Sequence, residues 1–155
     1  IRETLFNWLA PSIADARCAD LFAGSGALGL EALSRGASHC DFVDSAAAAT
    51  AQINTHLSSL DAQARAQCHS CQANTYLQKG NHKLDIVFID PPFGFNLVSP
   101  TIDQLVSLQI LAPESLVYVE TAKDESLYGI PANWTLHREK TAGDVSYRLY
   151  CPQTD

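Results

Sequence analysis

Residues 20–29, Asp-Leu-Phe-Ala-Gly-Ser-Gly-Ala-Leu-Gly, decide the fold. They follow Arg17 to Phe22, which reads as a strand. They open a helical pattern, Ala27 to Arg35, with Leu28, Leu30 and Leu33 apolar and Gly36 closing the end. Gly24 and Gly26 allow a tight turn and close backbone approach to a ligand. Asp44 ends the next strand, Cys40 to Val43, 20 positions after Gly24. Strand, glycine turn, helix, strand and terminal acid in that order open a doubly wound α/β sheet.

The rest of the chain keeps the same alternation, with no repeat or linker. Arg2 to Leu9 places Leu5, Trp8 and Leu9 at helical spacing before Pro11. The alanine-rich stretch Ala46 to Leu60 is helical by propensity. Ala66 to Cys71 is a third strand with weaker patterning, followed by a short helix through Tyr76 and Leu77. Leu84 to Ile89 is a continuous apolar run, as expected of a strand covered by helices on both faces. Pro100 to Leu108 reads as helix and Ser115 to Val119 as a fifth strand. Trp134 to Glu139 and Val145 to Cys151 alternate around Ala142-Gly143-Asp144 as a terminal hairpin. The expectation is a Rossmann-like, mostly parallel seven-stranded sheet with a C-terminal antiparallel hairpin, in one domain over residues 1–155. Ligands of such sheets sit at the carboxyl ends of the strands, near the switch in strand order.

Bulk composition narrows the class. The chain has 155 residues, enough for one core, and is 46% hydrophobic and 17% charged, as in ordinary globular proteins. No apolar run reaches membrane-spanning length and no secretory signal is evident, so the expected compartment is the cytoplasm. Five cysteines, an odd number, fit reduced thiols there. Cys68-His-Ser-Cys71 has CxxC spacing but no second pair to complete a zinc site, so no metal is expected. A net charge of −7 opposes non-specific binding to a polyanion. The chain starts at Ile1 and has no methionine, as expected of a processed or truncated chain.

The glycine loop and Asp44 together imply a nucleoside-containing cofactor, since a carboxylate there accepts hydrogen bonds from both ribose hydroxyls. Gly24, Gly26 and Gly29 alone also satisfy the dinucleotide fingerprint, and a purely structural turn is the simplest alternative. Asp20 shifts the balance: a carboxylate there attracts an ammonium group and repels a pyrophosphate. S-adenosyl-L-methionine has the former and NAD the latter.

Asp90-Pro91-Pro92-Phe93 follows the strongest strand and lies at the same predicted edge. Both prolines have fixed φ and no N–H, and a residue before proline avoids the α region, which holds residues 90–92 extended. The Asp90 carboxylate and the Pro91 carbonyl then make two acceptors suited to the two hydrogens of an exocyclic amino group, with Phe93 as a ring on which a planar base stacks. Such acceptors turn the nitrogen lone pair toward a methyl sulfonium, so transfer depends on positioning and desolvation. A Pro-Pro loop with a capping Asp is the plain structural alternative.

The chain resembles the RsmD-type small-subunit ribosomal RNA (guanine-N2) methyltransferases of bacteria. The similarity runs through RETLFNWL at 2–9, DLFAGSGALGLEALSRGA at 20–37, DIVFIDPPF at 85–93, LVYVE at 116–120 and HREKTAGDVSYRLY at 137–150. The resemblance implies S-adenosyl-L-methionine along Phe22, Ala23, Gly24, Ser25 and Gly26, with Asp44 and its neighbour Ser45 at the ribose and Asp90 to Phe93 as the catalytic tetrad. It implies guanine of 16S rRNA in the small ribosomal subunit as acceptor, splayed into the pocket. The family more often has Glu at the position of Asp44. It usually has an acidic residue near the adenine amino group, where this chain offers Gln72 followed by Ala73. Its basic N-terminal segment is absent here. A monomer is the simplest expectation.

Asp-Pro-Pro-Phe itself implies only a planar amine or amide, leaving DNA adenine or protein glutamine chemically open. A non-catalytic RNA- or protein-binding module and a nicotinamide oxidoreductase are the alternatives from other classes. Glu120 ends the fifth predicted strand and stays unassigned. His137, Arg138, Lys140 and Arg148, like Lys79, His82 and Lys83, read as solvated charge more readily than as a phosphate-facing patch. Trp8 and Trp134 read as packing residues.

Overall fold

The computed structural model describes residues 1–80 and 83–153; His82 lies outside them. Helix α1 (Arg2–Leu9) precedes β1 (Arg17–Asp20), α2 (Ala27–Ser34), β2 (His39–Asp44), α3 (Ala47–Ser59), β3 (Ala66–Ser70), α4 (Ala73–Lys79), β4 (Leu84–Ile89), α5 (Val98–Ser107), β5 (Leu111–Ala122), β6 (Thr135–Ala142) and β7 (Val145–Cys151). A short 3-10 turn, Gln63–Arg65, leads into β3.

The seven strands form one sheet in the order β3-β2-β1-β4-β5-β7-β6. The first five of these run parallel, while β7 is antiparallel to both β5 and β6. The chain winds outward from β1 to β3 and then restarts beside β1 with β4, which makes the β1/β4 boundary the topological switch point. The expected doubly wound sheet with its terminal hairpin is therefore present.

Alternation along β4 explains why its sequence is apolar throughout. Ile86 and Phe88 enter one core with Leu5, Phe6, Leu33, Phe42, Ile53 and Leu57 of the α1–α3 side. Val87 and Ile89 enter a second with Tyr76, Leu77, Ile102 and Leu105 of α4 and α5. A strand buried on both faces has no solvent side to make polar. Trp8 stacks on Tyr147 at 5.4 Å and Trp134 lies 6.0 Å from Tyr150, both as packing residues.

Several boundaries differ from the sequence expectation. The first strand stops at Asp20, although the Leu21 N–H still donates to the Phe88 carbonyl at 3.2 Å. The fifth strand is longer than Ser115 to Val119, because Leu111 already pairs with Leu84 before a bulge restores the register at Ile86 and Leu116. Pro113 and exposed Glu114, at φ 63°, occupy that bulge and disguise the strand as a loop. Helix α5 begins two residues before Pro100, which the first helical turn tolerates.

Candidate active site

The carboxyl ends of β1, β2 and β4 surround a cavity of about 700 Å³, within the range of small-molecule sites. Its wall includes Phe22, Ala23, Gly24 and Ser25 from the glycine loop, Asp44 and Ser45 at the end of β2, and Cys71, Gln72 and Ala73 at the start of α4. Asp90, Pro91 and Pro92 after β4, Leu97 just before α5, and Pro100, Thr101 and Gln104 of α5 also line it. Two motifs separated by 46 positions in the chain, Asp44 and Asp90, thus meet at one site.

The loop conformation depends on glycine in two ways. Gly26 has φ +80°, a region that side chains avoid. A Cβ on Gly29 would sit 2.3 Å from the Phe42 ring and 2.8 Å from the Cys40 sulfur, so glycine lets α2 lie directly on β2. Gly24, on the cavity wall, has no atom within 4 Å of the place where its Cβ would be, which leaves open space above the loop.

Asp44 ties that loop to the end of β2. Its Oδ2 accepts the Gly24 N–H and its Oδ1 accepts the Ala46 N–H, both at 2.9 Å. Each oxygen keeps an unused lone pair, enough for two hydroxyl donors.

Asp20 does not line the cavity, in contrast to the expected direct contact with a cationic group. It is 1% exposed beneath the loop, and its carboxylate accepts the Gly29 N–H at 3.1 Å. Burial pushes its pKa up to about 7; the Gly29 bond pulls it back, and the Asp44 charge adds to the rise. The helix start captures this carboxylate, so Asp20 acts on the site through the loop it anchors and through its charge. Gly26 likewise lies behind the loop, buried against Ile53.

Asp90 stands one residue past β4 and is partly buried. Its pKa is well above the ordinary carboxylate range, first because of burial, then because of the neighbouring Glu120 carboxylate, with the Asp20 charge adding a smaller repulsion. Glu120 is interior to β5 and does not end it. Its Oε1 accepts the hydroxyl hydrogen of fully buried Tyr118 at 2.6 Å. Phe93 projects outward, 45% exposed, and does not line the cavity.

Thr101 and Gln104 line the cavity and Glu120 stands beside Asp90; sequence reading assigned none of the three. Glu120 reads as the end of the fifth predicted strand and closes the LVYVE string without an assigned role, and nothing in the pattern of α5 singles out Thr101 or Gln104. His137, Arg138 and Lys140 lie on the exposed strand β6, where Arg148 is occupied by Glu139 at 2.7 Å. Lys83 donates to the Gln109 carbonyl. The five cysteines are free thiols, and burial with the Asp85 and Asp20 charges pushes Cys18 up to about 12. Among the described residues no cluster suited to a metal is present and no helix is long and apolar enough to cross a membrane.

Comparison with known proteins identifies the family of the chain. The chain is 49% identical over 150 residues to ribosomal RNA small subunit methyltransferase D of Escherichia coli (strain K12), covering 97% of this chain and 75% of that protein. It is 44% identical over 159 residues to the protein of the same name in Haemophilus influenzae, covering 97% and 79%. A solved structure from Escherichia coli superposes with a TM-score of 0.93 at 48% identity, over 98% of this chain and 84% of that one. A more distant one, SMU.776, solved in complex with SAH, shares the fold at a TM-score of 0.78 and 19% identity, over 97% and 49%. The family described as Conserved hypothetical protein 95 matches residues 1–151, and the chain belongs to that family, the one of ribosomal RNA small subunit methyltransferase D.

Proposed function

We propose that this protein methylates the exocyclic N2 of a guanine in 16S ribosomal RNA, with S-adenosyl-L-methionine as donor. One observation carries the reading: Asp44 and Asp90 line the same cavity as the glycine loop, at the β1/β4 switch point. Relatives at 44% and 49% identity that are named small-subunit ribosomal RNA methyltransferases support the substrate class.

The residues present fit the cofactor. The open space over Gly24 accommodates a ligand against the backbone, and the free lone pairs of Asp44 suit a ribose diol. Gln72 and Ala73, on the wall between β3 and α4, are suited to the adenine end. When bound, the cofactor supplies a methyl group made electrophilic by its sulfonium.

Every further requirement falls on this chain's own groups. The Asp90 carboxylate and the Pro91 carbonyl accept the two amino hydrogens of guanine, which turns the N2 lone pair out of conjugation with the ring. Exposed Phe93 is available to stack on a base splayed out of the RNA. The proton that N2 sheds has an acceptor in the Asp90/Glu120 carboxylates. Residues 1–155 are read as one methyltransferase domain working as a monomer in the cytoplasm.

The test uses small ribosomal subunits from cells lacking this activity, incubated with the protein and methyl-labelled S-adenosylmethionine, then digested to nucleosides for mass spectrometry. Label in N2-methylguanosine is expected; label in another nucleoside, or none despite confirmed S-adenosylhomocysteine binding, refutes the acceptor. Asp90→Asn is expected to lower the rate at least about 100-fold while leaving the S-adenosylhomocysteine dissociation constant within about twofold, and a retained rate would remove Asp90 from the chemistry.

A further inference from the structure

Asp90 and the Pro91 carbonyl explain why an amino group is held, but not why it should belong to guanine. Adenine and cytosine carry exocyclic amines too. What separates them is the neighbouring ring position on the Watson–Crick edge. Guanine presents an N1–H donor beside its amino group, whereas adenine N1 and cytosine N3 present a lone pair there.

A second carboxylate, that of Glu120, stands beside Asp90. β4 and β5 run in parallel with Ile89 opposite Val119, so the next residues, Asp90 and Glu120, project from adjacent strands on the same face of the sheet. The two carboxyl groups are near enough for the Glu120 charge to push the Asp90 pKa up. Tyr118, two residues earlier on that face and fully buried, donates to Glu120 Oε1 at 2.6 Å and thereby fixes the side chain. Glu120 Oε2 receives no hydrogen bond among the described residues, and Glu120 is partly exposed.

We propose that Glu120 is the specificity-determining residue, accepting the N1–H of guanine while Asp90 and Pro91 hold its amino group. This rests on the methyltransferase reading above and extends it to base choice. Three acceptors in a row match the three adjacent hydrogens of guanine, two on N2 and one on N1. Adenine or cytosine in the same pose sets a ring lone pair against a carboxylate, with no hydrogen between them. A site built to accept a hydrogen bond rejects the analogue that lacks the donor far more strongly than a merely apolar pocket does, because its own buried polar group is then left unpaired.

The experiment compares guanosine with 2-aminopurine riboside, which keeps the 2-amino group but carries a lone pair at N1. Each is placed at the labelled position of 16S RNA and reconstituted into small subunits. Wild-type protein is expected to methylate guanosine and to act on 2-aminopurine about 100-fold more slowly. Glu120→Gln, nearly isosteric and able to donate to N1 through its amide, is expected to lose most of that difference, with the S-adenosylhomocysteine dissociation constant unchanged within about twofold. Glu120→Asp keeps the charge and is expected to keep the rejection while slowing guanosine. Equal wild-type rates on the two bases, or full discrimination retained in Glu120→Gln, overturns the assignment. Failure of guanosine itself to take label overturns the underlying reading, and this inference with it, and is seen separately in the guanosine control.

Discussion

Asp44 holds two backbone N–H groups at once, from Gly24 and Ala46, so its carboxylate shapes the loop as well as offering lone pairs to a ligand. Asp44→Ala is expected to raise the S-adenosylhomocysteine dissociation constant about 10- to 100-fold in isothermal titration, with little change in the far-ultraviolet dichroism. An unchanged constant would remove the ribose assignment. Asp44 and Asp90 were legible in the sequence because each directly follows or ends a strand that patterning reveals, and strand ends define the ligand edge. Glu120 was legible as the end of a predicted strand, but its place beside Asp90 was not, because that comes from the lateral register of β4 against β5. Asp20 was legible at the close of the first strand but not in its orientation, which the Gly29 N–H decides.

Between elements, the tightest constraint is the seat of α2 on β2. A Cβ on Gly29 would overlap the Phe42 ring at 2.3 Å, and neither partner has room to move, since Phe42 and Cys40 are fully buried. Gly29→Ala is therefore expected to destabilise the protein by about 1–3 kcal/mol, measured by urea unfolding, and to weaken cofactor binding by displacing the Gly24–Gly26 turn. Unaltered stability would show that the helix can lift without cost. The glycine spacing was visible in sequence, but the reason for its third member was not, because the Phe42 ring arrives from a different element. The same holds for β5: Pro113 and Glu114 read locally as a loop, while pairing with β4 continues across them. β3 was expected despite weaker patterning and is present, supported by its pairing with β2 from Cys40–Ala66 to Asp44–Ser70.

Across the whole molecule, the site concentrates negative charge in a chain whose net charge is already −7. Asp20 has a folded pKa of about 7 against an ordinary value of 3.8, mainly from burial, and Asp90 is raised by burial and by Glu120. A carboxyl whose pKa is raised by folding binds its proton more tightly in the folded state, so stability falls as pH rises from the unfolded value through the folded one. Asp41 works in the opposite sense. Burial pushes its pKa up, but hydrogen bonds from Tyr76 at 2.5 Å, His39 at 2.9 Å and His69 at 3.2 Å outweigh it and hold it below 3.8. Its contribution is present above that value and is lost only in acid. The melting temperature of the free protein is accordingly expected to fall between pH 5 and about pH 8, and Asp20→Asn to flatten that fall. Scanning calorimetry in matched buffers checks both, and parallel profiles for the two proteins would show that Asp20 does not titrate in this range.

Sequence by itself determined the order of elements, the switch-point architecture, the glycine turn, and the two aspartates at strand ends. Each depends on local periodicity, on backbone restrictions of Gly and Pro, or on spacing within one strand–helix–strand unit. Tertiary structure alone decided that Asp20 lies under the loop, that α5 supplies a wall of the cavity, and that Glu120 stands against Asp90. Those facts depend on which strands become neighbours and in what register, and lateral register is set by side chains packing from both faces of the sheet, far apart in the chain.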